Sequence, residues 1–237
     1  MSKYDELHAL FKTLDNQSQI YLEKYFKEAP DWLYDSIQIV NYPNNYTFIE
    51  QGSKIESITI LIKGIVKGTD YPILGAMYDF MWFKSVQTFG ALEYFSEEPV
   101  FNATLMTACP CTMLLIPMTV YIRWIQSDQN AMHIDACMTT KQLLYEIRRE
   151  RVYIFMQGTE RLTYFLILYY KQFAKNGICN IRLTRQEISD STGLSIRTVN
   201  RSLTTLLENN CLRKSGNNLM IQREQYDNLK EMLVDIL

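Results

Sequence analysis

The stretch LTRQEISDSTGLSIRTVNRSLTTLLENNCLRKSGNNLMI, residues 183–221, decides the fold of its part of the chain. Thr184 with Glu187 three positions on reads as a capping box opening a short helix whose apolar face carries Ile188. Ser191-Thr192-Gly193 is a tight turn in which glycine is free to take a positive φ. Leu194 can then plug the core, and Ser195 can cap a second helix with Val199, Leu203 and Leu206 facing inward. Two short β-prone runs around Ser215-Gly216-Asn217-Asn218 follow, with Arg213 and Lys214 just before the turn. Helix, turn, helix and basic hairpin in that order describe a winged helix-turn-helix, which lays its second helix in the major groove of DNA.

Residue types in the second helix point the same way. Arg197, Thr198, Arg201 and Ser202 are expected on its outer side, with Arg197, Thr198 and Arg201 reading bases. An arginine fork reaches guanine O6 and N7 together. Thr184, Arg185, Ser195, Ser202, Thr205, Arg213 and Lys214 are expected to hold backbone phosphates, which set register without reading sequence. The net charge of the whole chain is only −2. Between 182 and 214, however, six basic residues face three acidic ones, and attraction to DNA depends on the local field.

Upstream, the texture changes twice. Leu7, Leu10, Phe11 and Leu14, then Tyr21, Tyr25 and Phe26, recur at helical spacing as far as Pro30. From about 37 to 118, short β-branched and aromatic runs alternate with turn residues, among them YPILGAMYDFMWF at 71–83. This spacing predicts a closed or sandwiched antiparallel barrel of the jelly-roll kind, able to hold a ligand or to be filled by side chains. A long helix is expected over roughly 132–157, its stripe of Leu144, Ile147, Ile154 and Phe155 needing a partner surface, most economically a second copy of itself. Gly158 breaks that helix, and Thr159 is expected to cap the next. The expected fold class is α+β, with residues 1–157 forming the barrel, its flanking helices and the dimerisation helix, and residues 158–237 the winged domain.

Composition excludes several alternatives. At 47% hydrophobic and 21% charged residues, with no run of 18 apolar residues and no basic-then-apolar leader, the chain reads as a cytoplasmic globular protein away from membranes. The five scattered cysteines read as free thiols rather than a disulfide framework. Cys109 and Cys111 share a strand face, where a redox pair is the alternative to two small buried hydrophobes. His8 and His133 stand far apart without acids in a ligand pattern, so no metal, no cofactor and no catalytic residues are expected.

These residues resemble the Crp/Fnr superfamily of transcription regulators. LTRQEISDSTGLSIRTVNRSLTTL is similar to that family's helix-turn-helix signature, YTFIEQGSKIESITILIKGIVKG to its glycine-spaced strands, and TFGALEYF to the entry of its phosphate cassette. The resemblance implies a cyclic-nucleotide-binding-like domain, a homodimer, double-stranded DNA with an inverted repeat as partner, and RNA polymerase and a small-molecule effector as further candidates. It places the effector pocket at Phe89, Gly90, Ala91, Leu92, Phe101, Asn102 and Ala103. Cyclic-nucleotide binders carry a glutamate where Ala91 stands and an arginine where Phe101 stands, so cyclic AMP is not the expected effector. The alternative function is a signal-binding or protein-interaction module whose winged domain no longer binds DNA.

Overall fold

Polar caps start the first helices. Ser2 and Asp5 form a capping box ahead of α1 (Lys3–Phe11), and Asp15 accepts the N–H groups of Gln17 and Ser18 at the start of α2 (Asn16–Tyr25). After α3 (Asp31–Ser36) come strands β1 (Gln38–Tyr42), β2 (Thr47–Ile49), β3 (Ser57–Lys63), β4 (Ile65–Asp70), β5 (Tyr78–Lys84) and β6 (Gln87–Phe89). Helix α4 (Ala91–Phe95) separates these from β7 (Thr104–Thr107) and β8 (Cys111–Pro117). Then follow α5 (Met118–Ser127), α6 (Gln129–Phe155), α7 (Thr159–Phe173), β9 (Ile178–Ile181), α8 (Arg185–Thr192) and α9 (Ile196–Glu208). The hairpin β10 (Arg213–Ser215) and β11 (Asn218–Gln222) and helix α10 (Arg223–Glu231) complete the chain. The computed structural model describes residues 2–70, 78–216 and 218–234; the side chains of 70, 78–80, 149–151, 153 and 154 lie outside the description. The expected strand at 71–83 therefore falls outside it as far as 77.

Contacts divide the chain into two units, one holding residues up to 71 and 80–145, the other continuing from 146 within α6. In the first unit the strands do not close into a barrel. They form two separate four-stranded sheets, ordered β1-β8-β3-β6 and β2-β7-β4-β5, and neither is closed among the described residues. The reason is local. Between β3 and β4 the chain leaves one sheet for the other at Gly64, whose φ is +115°. A Cβ there would collide with Cys111 Sγ and lie 3.0 Å from both Cys111 Cα and the Pro110 carbonyl. A register shift between Leu61 and Lys63 ends regular β3–β8 pairing at the same corner. Alternation along a strand shows which side chains share a face. It does not show whether the outer strands find each other, and here the chain switches sheets instead.

The first sheet is buried on both sides. Ile58, Ile60 and Ile62 of β3 join Leu114 and Ile116 of β8 in a core covered by α1, α2, α3 and α5, whereas Leu61 and Met113 join the core shared with the second sheet. Trp124 lies at the centre of the helical side, fully buried and stacked on Phe26 at 5.3 Å, with Tyr25 edge-on at 5.0 Å. Its indole N–H donates to Asp128 Oδ2 at 2.9 Å, and Asp128 Oδ1 accepts the Ala131 N–H at 2.9 Å. One buried carboxylate thus satisfies the indole and caps the first turn of α6.

A second buried acid lies about two turns further on. Asp135 is fully buried, and its Oδ2 accepts the hydroxyls of Tyr25 at 2.5 Å and Tyr121 at 2.8 Å, joining α2, α5 and α6. Burial raises its pKa to about 6, against the opposing effect of the bonds from Tyr25 and Tyr121. With a folded-state value above the ordinary carboxylate range, this group contributes stability that is fully present below about pH 4 and lost as pH rises through about 6. Asp135→Asn keeps an acceptor for both tyrosines without the ionisation. Its melting temperature, followed by circular dichroism, should match the parent's at pH 4 and exceed it at pH 7.5.

Candidate nucleic-acid interface

The second unit is assembled on α7. Its Leu162, Phe165 and Leu166 are buried, as are Ile188 of α8 and Val199, Leu203 and Leu206 of α9. Thr159 is the first residue of α7 and not its cap; Gly158 takes the cap position at φ +51° with no side-chain bond. The Gln157 N–H instead meets Glu160 Oε2 at 3.2 Å.

Local chemistry sets the angle between α8 and α9. Thr184 Oγ1 accepts the Glu187 N–H at 3.1 Å, and the Glu187 carboxylate accepts the Thr184 N–H at 2.7 Å. Gly193 ends α8 in the left-handed region at φ +66°. Three hydroxyl bonds tighten the turn: Thr192 donates to the Ile188 carbonyl at 2.6 Å, Ser189 donates to the Leu194 carbonyl at 2.5 Å, and Ser195 Oγ accepts the Thr198 N–H at 3.2 Å.

With the inward side of α9 fixed by Val199, Ser202, Leu203 and Leu206, the opposite side presents Arg197, Asn200, Arg201 and Thr204, all exposed. Neither arginine has an ion-pair partner among the described residues. Thr198 and Thr205 lie half-buried on the flank; Thr205 returns its hydroxyl to the Arg201 carbonyl at 3.2 Å. Thr184, Arg185 and Ser195 are exposed at the starts of α8 and α9, and Lys214 is exposed on the hairpin.

Two expected phosphate holders are placed otherwise. Ser202 is fully buried, with Thr159 Oγ1 3.0 Å from its own oxygen, so it joins α9 to α7 and cannot reach a phosphate. Arg213 is exposed, but Nη2 bonds Glu224 Oε2 at 2.8 Å and Nη1 bonds Gln222 Oε1 at 3.1 Å. Asn200 was not singled out by the sequence. Its signal was available, since it lies three residues after Arg197 on the same helical face.

The hairpin has the register Arg213↔Met220, Lys214↔Leu219 and Ser215↔Asn218, and β11 pairs in turn with β9. Two helices held at a glycine turn, with a three-stranded sheet beside them, define a winged helix-turn-helix protein.

In the first unit, the residues expected at an effector pocket differ in exposure. Phe89, Ala91 and Phe101 are buried, whereas Leu92 and Asn102 are exposed. Gly90 begins α4 at φ +94°, and a Cβ there would lie 2.9 Å from Ile58 Cδ1. Phe101 lines a cavity of about 330 Å³ together with Tyr42, Phe48, Lys54, Glu56 and Thr59. Ala103 is half-buried. Glu93 is buried, its pKa raised by burial, and its carboxylate accepts the Asn102 backbone N–H. Cys111 is buried, its thiol donating to the carbonyls of Cys109 at 3.2 Å and Ile65 at 3.3 Å. Burial, then proximity to Cys109, pushes that thiol up to about 11, so it stays protonated and weakly nucleophilic at neutral pH.

The Crp-like helix-turn-helix domain model matches residues 160–232. The chain is 26% identical over 199 residues to the cAMP-activated global transcriptional regulator CRP of Pasteurella multocida, covering 81% of this chain and 93% of that protein. It is 23% identical over 194 residues to the regulator of the same name from Haemophilus influenzae, covering 81% and 87%. Among solved structures, the c-di-GMP responsive global regulator CLP of Xanthomonas campestris superposes with a TM-score of 0.71 at 18% identity, over 85% of this chain and 98% of that one. FixK2 from Bradyrhizobium japonicum gives 0.67 at 18% identity, over 81% and 96%. These similarities place a Crp-like helix-turn-helix domain at residues 160–232 and make the chain as a whole similar to Crp-type transcription regulators. Among the described residues no helix is long and apolar enough to cross a membrane.

Proposed function

We propose that this protein is a homodimeric, sequence-specific regulator that binds an inverted-repeat operator through α9, and that its effector is not cyclic AMP. The exposed face of α9 carries the reading: Arg197, Asn200 and Arg201 point away from the core at the end of a rigid, doubly capped turn. Arg197 and Arg201 suit guanine, the Asn200 carboxamide suits adenine, and Thr198 flanks them within reach of a base edge. Thr184, Arg185, Ser195, Thr205 and Lys214 surround that face as phosphate contacts, while Arg213 would first have to release Glu224. Arg197→Ala and Arg201→Ala should each cost about 1–3 kcal/mol on the best operator and relax preference at one base pair, with little change on random DNA. Fluorescence anisotropy on both DNAs measures this; equal losses on the two would make that arginine a phosphate contact.

Dimerisation rests on α6. Leu144 and Ile147 are 47% and 41% exposed and Phe155 is 79% exposed, an apolar stripe that the described residues of this chain leave uncovered. The Ile154 side chain lies outside the described residues. Burying such a stripe against its twin is favourable in proportion to the apolar area removed from water, and twofold symmetry brings two recognition helices to successive major grooves. Ile147→Glu should shift sedimentation from dimer to monomer and abolish operator binding, while circular dichroism stays unchanged.

The two CRP proteins named above are cAMP-activated; the residues of this chain at the proposed effector site differ in chemistry. Phe101 offers no cation to a cyclic phosphate, and the buried Glu93 carboxyl offers none either. Titration calorimetry with cyclic AMP should show no binding up to millimolar concentration. A micromolar dissociation constant accompanied by tighter operator binding would overturn the assignment.

A further inference from the structure

Away from the expected effector residues, a cleft of about 490 Å³ opens between α2, β6 and the first half of α6, all within the first unit. Its size falls in the range of small-molecule sites. On α6, His133, Cys137 and Lys141 recur every four residues and so form one row, with Met138 in the cleft beside them. Tyr21 and Lys24 face them from α2, one helical turn apart. The two helices are braced across the cleft. Asn130 Nδ2 donates to the Lys24 carbonyl at 2.9 Å, the Tyr21 hydroxyl meets Met138 Sδ at 3.8 Å, and Tyr25 bonds Asp135 just below. A braced cleft loses little entropy on binding because its walls are already in place.

Its chemistry is one-sided. Lys24, Lys141 and His133 contribute nitrogen, the lining includes no carboxylate, and neither lysine forms an ion pair among the described residues. The Tyr21 ring, Ile134 and the Met138 thioether supply an apolar, soft patch beside them, and Gln87 and Gln142 complete the lining as neutral amides. We infer that this cleft binds a small organic acid, an aryl carboxylate, with its anion between Lys24 and Lys141 and its ring against Tyr21 and Met138. Cys137 lies within the same cleft, its Sγ 3.5 Å from His133 Nε2, and serves as a built-in reporter of occupancy. The inference goes beyond the DNA-binding reading and does not depend on it. It assigns the first half of α6 a ligand of its own.

The test uses the full chain and 1-naphthoate, with neutral 1-naphthamide as the control. Alkylation of Cys137 by iodoacetamide is followed by peptide mass spectrometry, which separates it from the other four cysteines. Naphthoate is expected to slow alkylation of Cys137 at least tenfold at saturation, and naphthamide to protect far less. The double variant K24Q/K141Q, and separately K24E/K141E, should keep the parent circular dichroism spectrum, alkylate Cys137 at the parent rate without ligand, and lose the naphthoate protection. Absence of protection by millimolar naphthoate overturns the inference. So does equal protection by the amide, survival of protection in the lysine variants, or a Cys137 that does not react in the free protein.

Discussion

The first unit depends on the anchoring of α6 by two buried carboxylates. Asp128 receives the Trp124 indole and caps the helix, and Asp135 receives two tyrosine hydroxyls seven residues later. A buried acid costs free energy unless donors reach its oxygens: both oxygens of Asp128 accept a bond, and Oδ2 of Asp135 accepts two while its Oδ1 has no partner. The first turns of α6 are thereby fixed in position and rotation relative to α2 and α5. That rotation turns the His133–Cys137–Lys141 row toward α2, and it leaves the stripe at Leu144 and Ile147 facing solvent.

The winged unit reaches its geometry by another route. Its shape comes from backbone chemistry at one turn: a capping box before α8, a left-handed glycine after it, and hydroxyls that take up the carbonyls and N–H groups the two helix ends would otherwise leave unpaired. The consequence is a recognition helix whose orientation is set by a few short bonds, so that long side chains such as Arg197 and Arg201 can remain flexible without blurring the direction in which they point.

How much of this was legible in the sequence varies with the physics of each feature. The winged module was legible because caps and glycine turns are local, and Thr184, Glu187, Gly193 and Ser195 stand where they were expected. Ser202 was misplaced because the inward arc of α9 is wide; it extends past Val199 and Leu203 to include a small polar residue that can bond Thr159. Asp128 and Asp135 went unnoticed because an acid in a helical stretch ordinarily faces solvent. Only the Trp124–Asp128 spacing of four hinted otherwise. Barrel closure was the clearest failure. Period-two patterning assigns faces, whereas closure depends on which edges pair, and that is decided at corners such as Gly64 by contacts with residues nearly fifty positions away.

The bond between Arg213 and Glu224 changes the accounting of charge at the hairpin. A free arginine on a DNA-binding surface contributes to affinity largely because the phosphate it meets sheds a condensed cation into bulk solution, a gain that shrinks as salt is added. Glu224 already behaves as an anion tethered to Arg213. When a phosphate displaces it, the cation leaving the DNA is offset by one gathering around the freed carboxylate. The hairpin then exchanges one anion for another at nearly constant ion count. Of its two basic residues, only Lys214 would make attraction to DNA steeply sensitive to ionic strength.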